Sequence, residues 1–279
     1  MTTGPAAADV LDTWSDAPRL LATVILWALW GAVLLASLAP RPVGVTVLRV
    51  TAAVAVILAV IAVPGAGAAR GLLAVAGTAL AAGLAFTPAV GYHFINGAAY
   101  GEERRYPLRV PPALLLGPIP VAVVLLGAGV LVGPLLLADQ RWVAGGVAVL
   151  VAAPLVKAAG RSVYALSQRW AVLVPAGIVL KDPLTLVDPV LFPRDKVASL
   201  RPLPYPNAPA DDVLDLRLGA VPGSLLRDLT EEAQLFRARG PRLRGGEAVN
   251  TRRLAFSPRL AQSLLDEAAT RRKPKGSVL

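Results

Sequence analysis

Leu20-Leu21-Ala22-Thr23-Val24-Ile25-Leu26-Trp27-Ala28-Leu29-Trp30-Gly31-Ala32-Val33-Leu34-Leu35-Ala36-Ser37-Leu38-Ala39 decides the fold. At about 1.5 Å of rise per residue this charge-free run forms a helix of about 30 Å, the thickness of a bilayer's hydrocarbon core. A secretory signal would carry positive charge ahead of its apolar run. Here Asp9, Asp12 and Asp16 come first, so the run is expected to be a retained span. Working outward, Val50 to Ala69 follows Arg49, and Gly71 to about Val90 follows Arg70, giving spans two and three. Val110 to Ala138 is also uncharged, but Pro111, Pro112, Pro118 and Pro120 disfavour a helix interior, so the fourth span is expected near 119–138. The fifth covers 142–159, with Lys157 close enough to its end to snorkel. Only Asp139-Gln140-Arg141 separates spans four and five, which fits a tight hairpin.

The whole chain follows the same division. Of its 279 residues, 55% are hydrophobic and 16% charged, against about 25% charged in an ordinary soluble domain. Residues 161–279 carry 19 of the 28 Lys/Arg and 12 of the 18 Asp/Glu. The expected organisation is therefore a membrane α-helical bundle over 1–160 and a basic α+β domain over 161–279. Cys is absent and His occurs once, which excludes thiolate chemistry and disfavours a zinc site or a His-based triad. No cofactor or metal is expected.

Lys and Arg in short loops favour the cytoplasmic side. Five spans with the N-terminus outside put Arg41, Arg49, Arg104, Arg105, Arg109, Lys157 and Arg161 inside, and only Arg19, Arg70 and Arg141 outside. The spans lack central ionisable residues of the kind that line transport pathways. Gly129 and Gly133 form a small-xxx-small pair in the fourth span, expected to pack within the chain's own bundle.

Between spans three and four, residues 91–106 hold the chain's one histidine and a Glu-Glu-Arg-Arg cluster. A polar site here would use His93, Asn96, Glu102, Glu103, Arg104 and Arg105: the imidazole as proton acceptor, a glutamate as its partner, an arginine for phosphate. The alternative is an interfacial loop in which Tyr92, Tyr100 and Tyr106 sit at headgroup depth and Glu/Arg neighbours pair locally. The spacing matches no catalytic motif, and the interfacial reading is preferred.

Beyond Arg161, Trp170 to Val174 and Gly177 to Leu180 read as strands joined by a tight turn at Pro175-Ala176, followed by Val197 to Leu200 and Val213 to Leu218. Ser224 to Phe236 has the spacing of a helix face. Ser257 as N-cap and Pro258 at the first position are expected to open a last helix, stopped by Pro274. The order Gly177-Ile178-Val179-Leu180-Lys181-Asp182, Leu191 to Leu200, then the Phe256-Ser257-Pro258 helix resembles the bacterial pleckstrin-homology-like domains found in membrane proteins, while the Arg-rich, Lys-poor composition and the stretch Val174 to Pro183 look like multi-pass membrane proteins of actinobacteria. The former resemblance implies a small β-barrel plugged by a C-terminal helix.

Arg237, Arg239, Arg242 and Arg244 form a basic stretch suited to anionic headgroups or a protein partner. Too few aromatics accompany them to stack bases, so nucleic acid is not an expected partner. The sequence leaves the oligomeric state open. The leading expectation is a non-catalytic scaffold or adaptor in the cell membrane, supporting a cell-envelope assembly. A membrane enzyme using the His93 to Arg105 loop on a lipid-linked substrate is the alternative, and a transporter comes third.

Overall fold

Backbone amides in a lipid interior have to bond within their own segment, and the five apolar runs all form helices. The computed structural model describes residues 3–204, 212–238 and 245–272. In chain order the elements are α1 (Thr3–Leu11), α2 (Asp16–Leu38), α3 (Pro42–Ala66), α4 (Ala68–Ala85), α5 (Pro88–Asn96), β1 (Arg104–Pro107), α6 (Pro112–Leu116), α7 (Pro118–Ala138) and α8 (Trp142–Ser167). They continue with β2 (Trp170–Val174), β3 (Gly177–Lys181), β4 (Val190–Pro193), β5 (Val197–Pro202), β6 (Val213–Asp215), β7 (Leu225–Ala238), β8 (Gly246–Phe256) and α9 (Ala261–Arg272). Among the described residues, α2, α3, α4, α7 and α8 are long and apolar enough to cross a membrane.

The helix ends depart from the limits set by charge. α3 begins at Pro42, so Arg49 lies within it. α4 stops at Ala85 because Pro88 starts a new helix, and the residue before a proline is pushed out of the helical region. His93 consequently stands on α5, where a loop was expected.

Two compact units result, and they do not follow chain order. One comprises Met1–Phe94 and Gly117–Tyr164, the other Ile95–Leu116 and Ala165–Leu279. In the first, Leu35, Leu38, Leu72, Val143 and Leu150 are all more than three-fifths exposed. An apolar exterior of this kind belongs in lipid. Thr23, Thr46 and Thr78 each return their hydroxyl hydrogen to a carbonyl four residues back, so none is left bare. α1 packs Ala6 against Ala59, Ala66 and Ala74, and Arg70 of α4 donates to both oxygens of Asp9. A single residue, Gly67 at φ +75°, turns α3 into α4, a conformation in which a side chain is strained.

α7 and α8 form the expected hairpin about Asp139-Gln140-Arg141. A Cβ added at Gly129 would collide with Val156, and one at Gly133 would lie 2.6 Å from Val149 Cγ2. Both glycines therefore face α8, within the chain's own bundle.

In the second unit, strands in the order β1-β2-β3-β4 form an antiparallel sheet, and a mixed sheet runs β5-β7-β8-β6 with β6 parallel to β8. Two seams join them. Beyond β1, Leu108 N donates to Arg169 O of the first sheet and Arg109 N to Ser257 O of the second. On the other seam, Val187 N donates to Phe236 O and Ala238 N to Thr185 O. α9 covers the core with Leu264, which is fully buried, and Tyr106 donates to Ser263 O at 3.4 Å.

Two local expectations are corrected. Ser224 to Phe236 is not helical: Leu225 to Ala238 is β7, paired with β8 over 225–228 and 233–238. A register irregularity between Asp228 and Ala233 breaks the period of two that would have marked a strand. Leu225, Leu226 and Arg227 are buried in succession because both faces are covered, so tertiary pairing overrides the local pattern. Ser257 does not cap the last helix, which starts at Ala261. Its hydroxyl is buried and bonded to Ala220 O and Ser224 Oγ, while Pro258 bridges to Leu108.

Replacing Gly133 with leucine is expected to part α7 from α8 and lower the thermal midpoint in detergent by several degrees. Gly146→Ala, whose added methyl meets nothing within 4 Å, should leave the midpoint unchanged. Equal melting of the two variants would refute the packing.

Candidate functional site

The polar loop residues identified in the sequence build strand β1. Asn96 Nδ2 donates to Arg105 O and accepts from Arg105 N at Oδ1, both at 2.8 Å. This reciprocal pair closes the turn as a strand partner would. Arg105 is clamped by Glu103, Nε to Oε1 at 2.8 Å and Nη2 to Oε2 at 3.2 Å, and lies 5.5 Å over the Trp170 ring. Lys181 covers the same ring at 4.8 Å. The chain thus uses two cations and an indole to fix β1 against β2 and β3.

Arg104 is exposed and donates to Glu103 O. Glu102 is exposed, and its carbonyl accepts from Arg271. His93 is exposed on α5 in the first unit, edge-on to Phe94. Asn96, Glu103 and Arg105 are therefore brought together, whereas His93 belongs to a different unit from the glutamates. Among the described residues, no group of three or more His, Asp or Glu is placed to hold a metal.

The deepest polar cluster was not anticipated. Arg169 donates to both carboxylate oxygens of Asp182 at 2.7 Å and to Arg109 O at 2.8 Å, and both side chains are at most 2% exposed. Asp182 Oδ1 also accepts from Leu184 N. The two-residue turn Pro175-Ala176 sets a register in which Trp170 faces Lys181, so Arg169 and Asp182 fall opposite each other one step further. A hairpin register drawn from that turn would have found the pair.

Of the basic stretch, Arg237 is exposed on β7 opposite Glu247. Arg239, Arg242 and Arg244 lie outside the described residues. Beside Arg237, Phe236 is 50% and Val187 46% exposed, and both pack about Gly246, where an added Cβ would lie 2.7 Å from Val187 Cγ2 and 3.1 Å from Phe236 Cβ. Val187 and Phe236 form a small exposed apolar patch at the strand end that also carries Arg237. On β6, burial raises the Asp215 carboxyl. The two-point grip of Arg217 and the field of Arg237 more than offset this and leave it below its ordinary value.

Fold and site together define a multi-pass membrane protein carrying a mixed β domain. Compared with protein-family models, curated proteins and solved structures, the chain matches none.

Removing Arg169 alone as Arg169→Met should destabilise the second unit by about 3–5 kcal/mol, because it leaves a bare buried carboxylate. Adding Asp182→Leu should restore most of the loss, as read by resistance to limited proteolysis. A double variant no better than the single one would refute the coupling.

Arg105 holds the Glu103 carboxyl below its ordinary value of 4.5 by hydrogen bonding, against a smaller opposing effect of burial. A carboxylate with a lowered folded pKa adds stability above its unfolded pKa and loses it as pH falls through the folded one. The stability gap between the native chain and Glu103→Gln is thus expected to be constant at neutral pH and to close below about pH 4. A gap independent of pH would rule out the ionic contribution.

Proposed function

We propose that the protein is a non-catalytic scaffold or adaptor of the cell membrane whose second unit is a pleckstrin-homology-like domain. The N-terminus is outside and the domain cytoplasmic. The Val187, Phe236 and Arg237 end of the domain, continued in sequence by Arg239, Arg242 and Arg244, engages anionic headgroups and presents the domain to a protein partner. The observation that carries this reading is the exposed apolar patch beside Arg237. A flexible basic loop would explain the charge but not the phenylalanine and valine set next to it.

Two joined sheets closed by a final helix support the pleckstrin-homology-like assignment. The orientation is supported by the loop charges, since arginine-rich connections and the basic domain then share the cytoplasmic side. Parity agrees: with five spans, the connection after the third and the chain after the fifth fall on one side of a membrane, and both supply the second unit.

The test is flotation of the full chain, reconstituted in zwitterionic nanodiscs, with vesicles containing phosphatidylserine. At about 1 kcal/mol per basic residue near an anionic surface, replacing all four arginines by alanine should weaken binding by about a hundredfold or more, and added salt should do the same to the native protein. Binding indifferent to both changes would exclude the headgroup contact. A partner captured from detergent-solubilised membranes by both native and substituted chains would then place the adaptor surface elsewhere.

A further inference from the structure

A second basic feature lies inside the domain, away from the β7–β8 hairpin end. A cavity of about 40 Å³ is lined by the β2–β3 hairpin, by Val197 and Leu200 of β5, and by three arginines, Arg194, Arg227 and Arg271. No carboxylate is among its lining residues.

The three guanidinium groups are held by different means. Arg227 is 1% exposed and lies 4.5 Å over the Phe192 ring, donating to Phe192 O at 3.4 Å. Arg271 is bound by Glu267 at Nε and by Glu102 O at Nη2. Its Nη1 is buried with no hydrogen-bond partner among the described residues. Arg194 stands exposed after β4, tied to Pro175 O at 3.0 Å. Glu267 pairs with Arg271, and no carboxylate lines the cavity itself.

A buried guanidinium donor left without an acceptor among the described residues, as Arg271 Nη1 is, is costly unless an anion in the cavity accepts from it. About 10–15 Å³ is the least that holds one water, so this space takes a group the size of one phosphate and not a whole lipid headgroup or nucleotide. Planar forks of N–H donors match phosphate oxygens in pairs.

We propose that Arg194, Arg227 and Arg271 form a binding site for a single phosphate group, the phosphate entering past Arg194. The inference rests on the proposed headgroup contact only for the source of that phosphate, either a phosphomonoester lipid or a free phosphate compound.

The experiment is calorimetric titration of inorganic phosphate into the full chain held in phosphatidylcholine nanodiscs. Binding is expected, and Arg194→Gln, which alters an exposed side chain, should weaken it about tenfold, about 1.4 kcal/mol, without moving the phosphate-free melting temperature. Arg271→Gln should weaken it similarly, and Arg201→Gln, outside the cavity, should not. Displacement of phosphate by vesicles containing phosphatidic acid, but not by phosphatidylcholine alone, assigns the site to lipid. Displacement by soluble glycerol phosphate only assigns it to a free compound. Replacing Arg237, Arg239, Arg242 and Arg244 together should leave phosphate binding intact, so failure of the hairpin contact and failure of this site are read separately. Absence of phosphate binding, or binding unaffected by both Arg194→Gln and Arg271→Gln, overturns the proposal.

Discussion

A buried ion pair governs the second unit. Arg169 and Asp182 sit at the adjoining ends of β2 and β3, and taking both out of water costs several kcal/mol per ion unless close pairing and further hydrogen bonds offset it. The geometry meets that condition with two bonds between the side chains, one to Arg109 O and one from Leu184 N. Because Arg109 follows β1, the pair fixes the register of three strands together. The Asp182 carbonyl also accepts from Thr185 N and Leu186 N, turning the chain toward the seam with β7. Any slip in one strand would strand a charge in the core.

The same constraint explains why a segment between two apolar helices belongs to the β-rich unit. β1 has four residues and could not stand alone as a strand. Asn96 shapes its turn, Glu103 and Arg105 fix its edge, and the residues just after it bond both sheets. The Glu-Glu-Arg-Arg cluster that suggests chemistry in the sequence is thereby committed largely to architecture. The surfaces proposed for recognition, the end near Phe236 and the arginine-lined cavity, are separate in composition.

In the first unit the order of causes is simpler. Apolar side chains face outward, small residues face inward, and hydroxyls bond their own helix. Arg49, the one charge inside α3, donates to Ala85 O at 3.1 Å and lies 5.6 Å over Phe86. Its charge thus meets the negative end of the α4 dipole.

Five spans, the α7–α8 hairpin and the strands from Trp170 to Lys181 are legible along one dimension, because lipid thickness, charge exclusion and a two-residue turn are local rules. The helix ends at Pro42 and Ala85 are not, because proline geometry there outweighs the position of charges. Leu225 to Ala238 becomes a strand only through its partners in the folded domain, since pairing with β8 on both sides of an irregularity hides its period. Only the tertiary structure brought Arg194, Arg227 and Arg271, spread over 78 positions of chain, around one cavity. Sequence reports what a segment prefers; which distant segments share a seam follows from closing two sheets around a core, and that closure has no local signature.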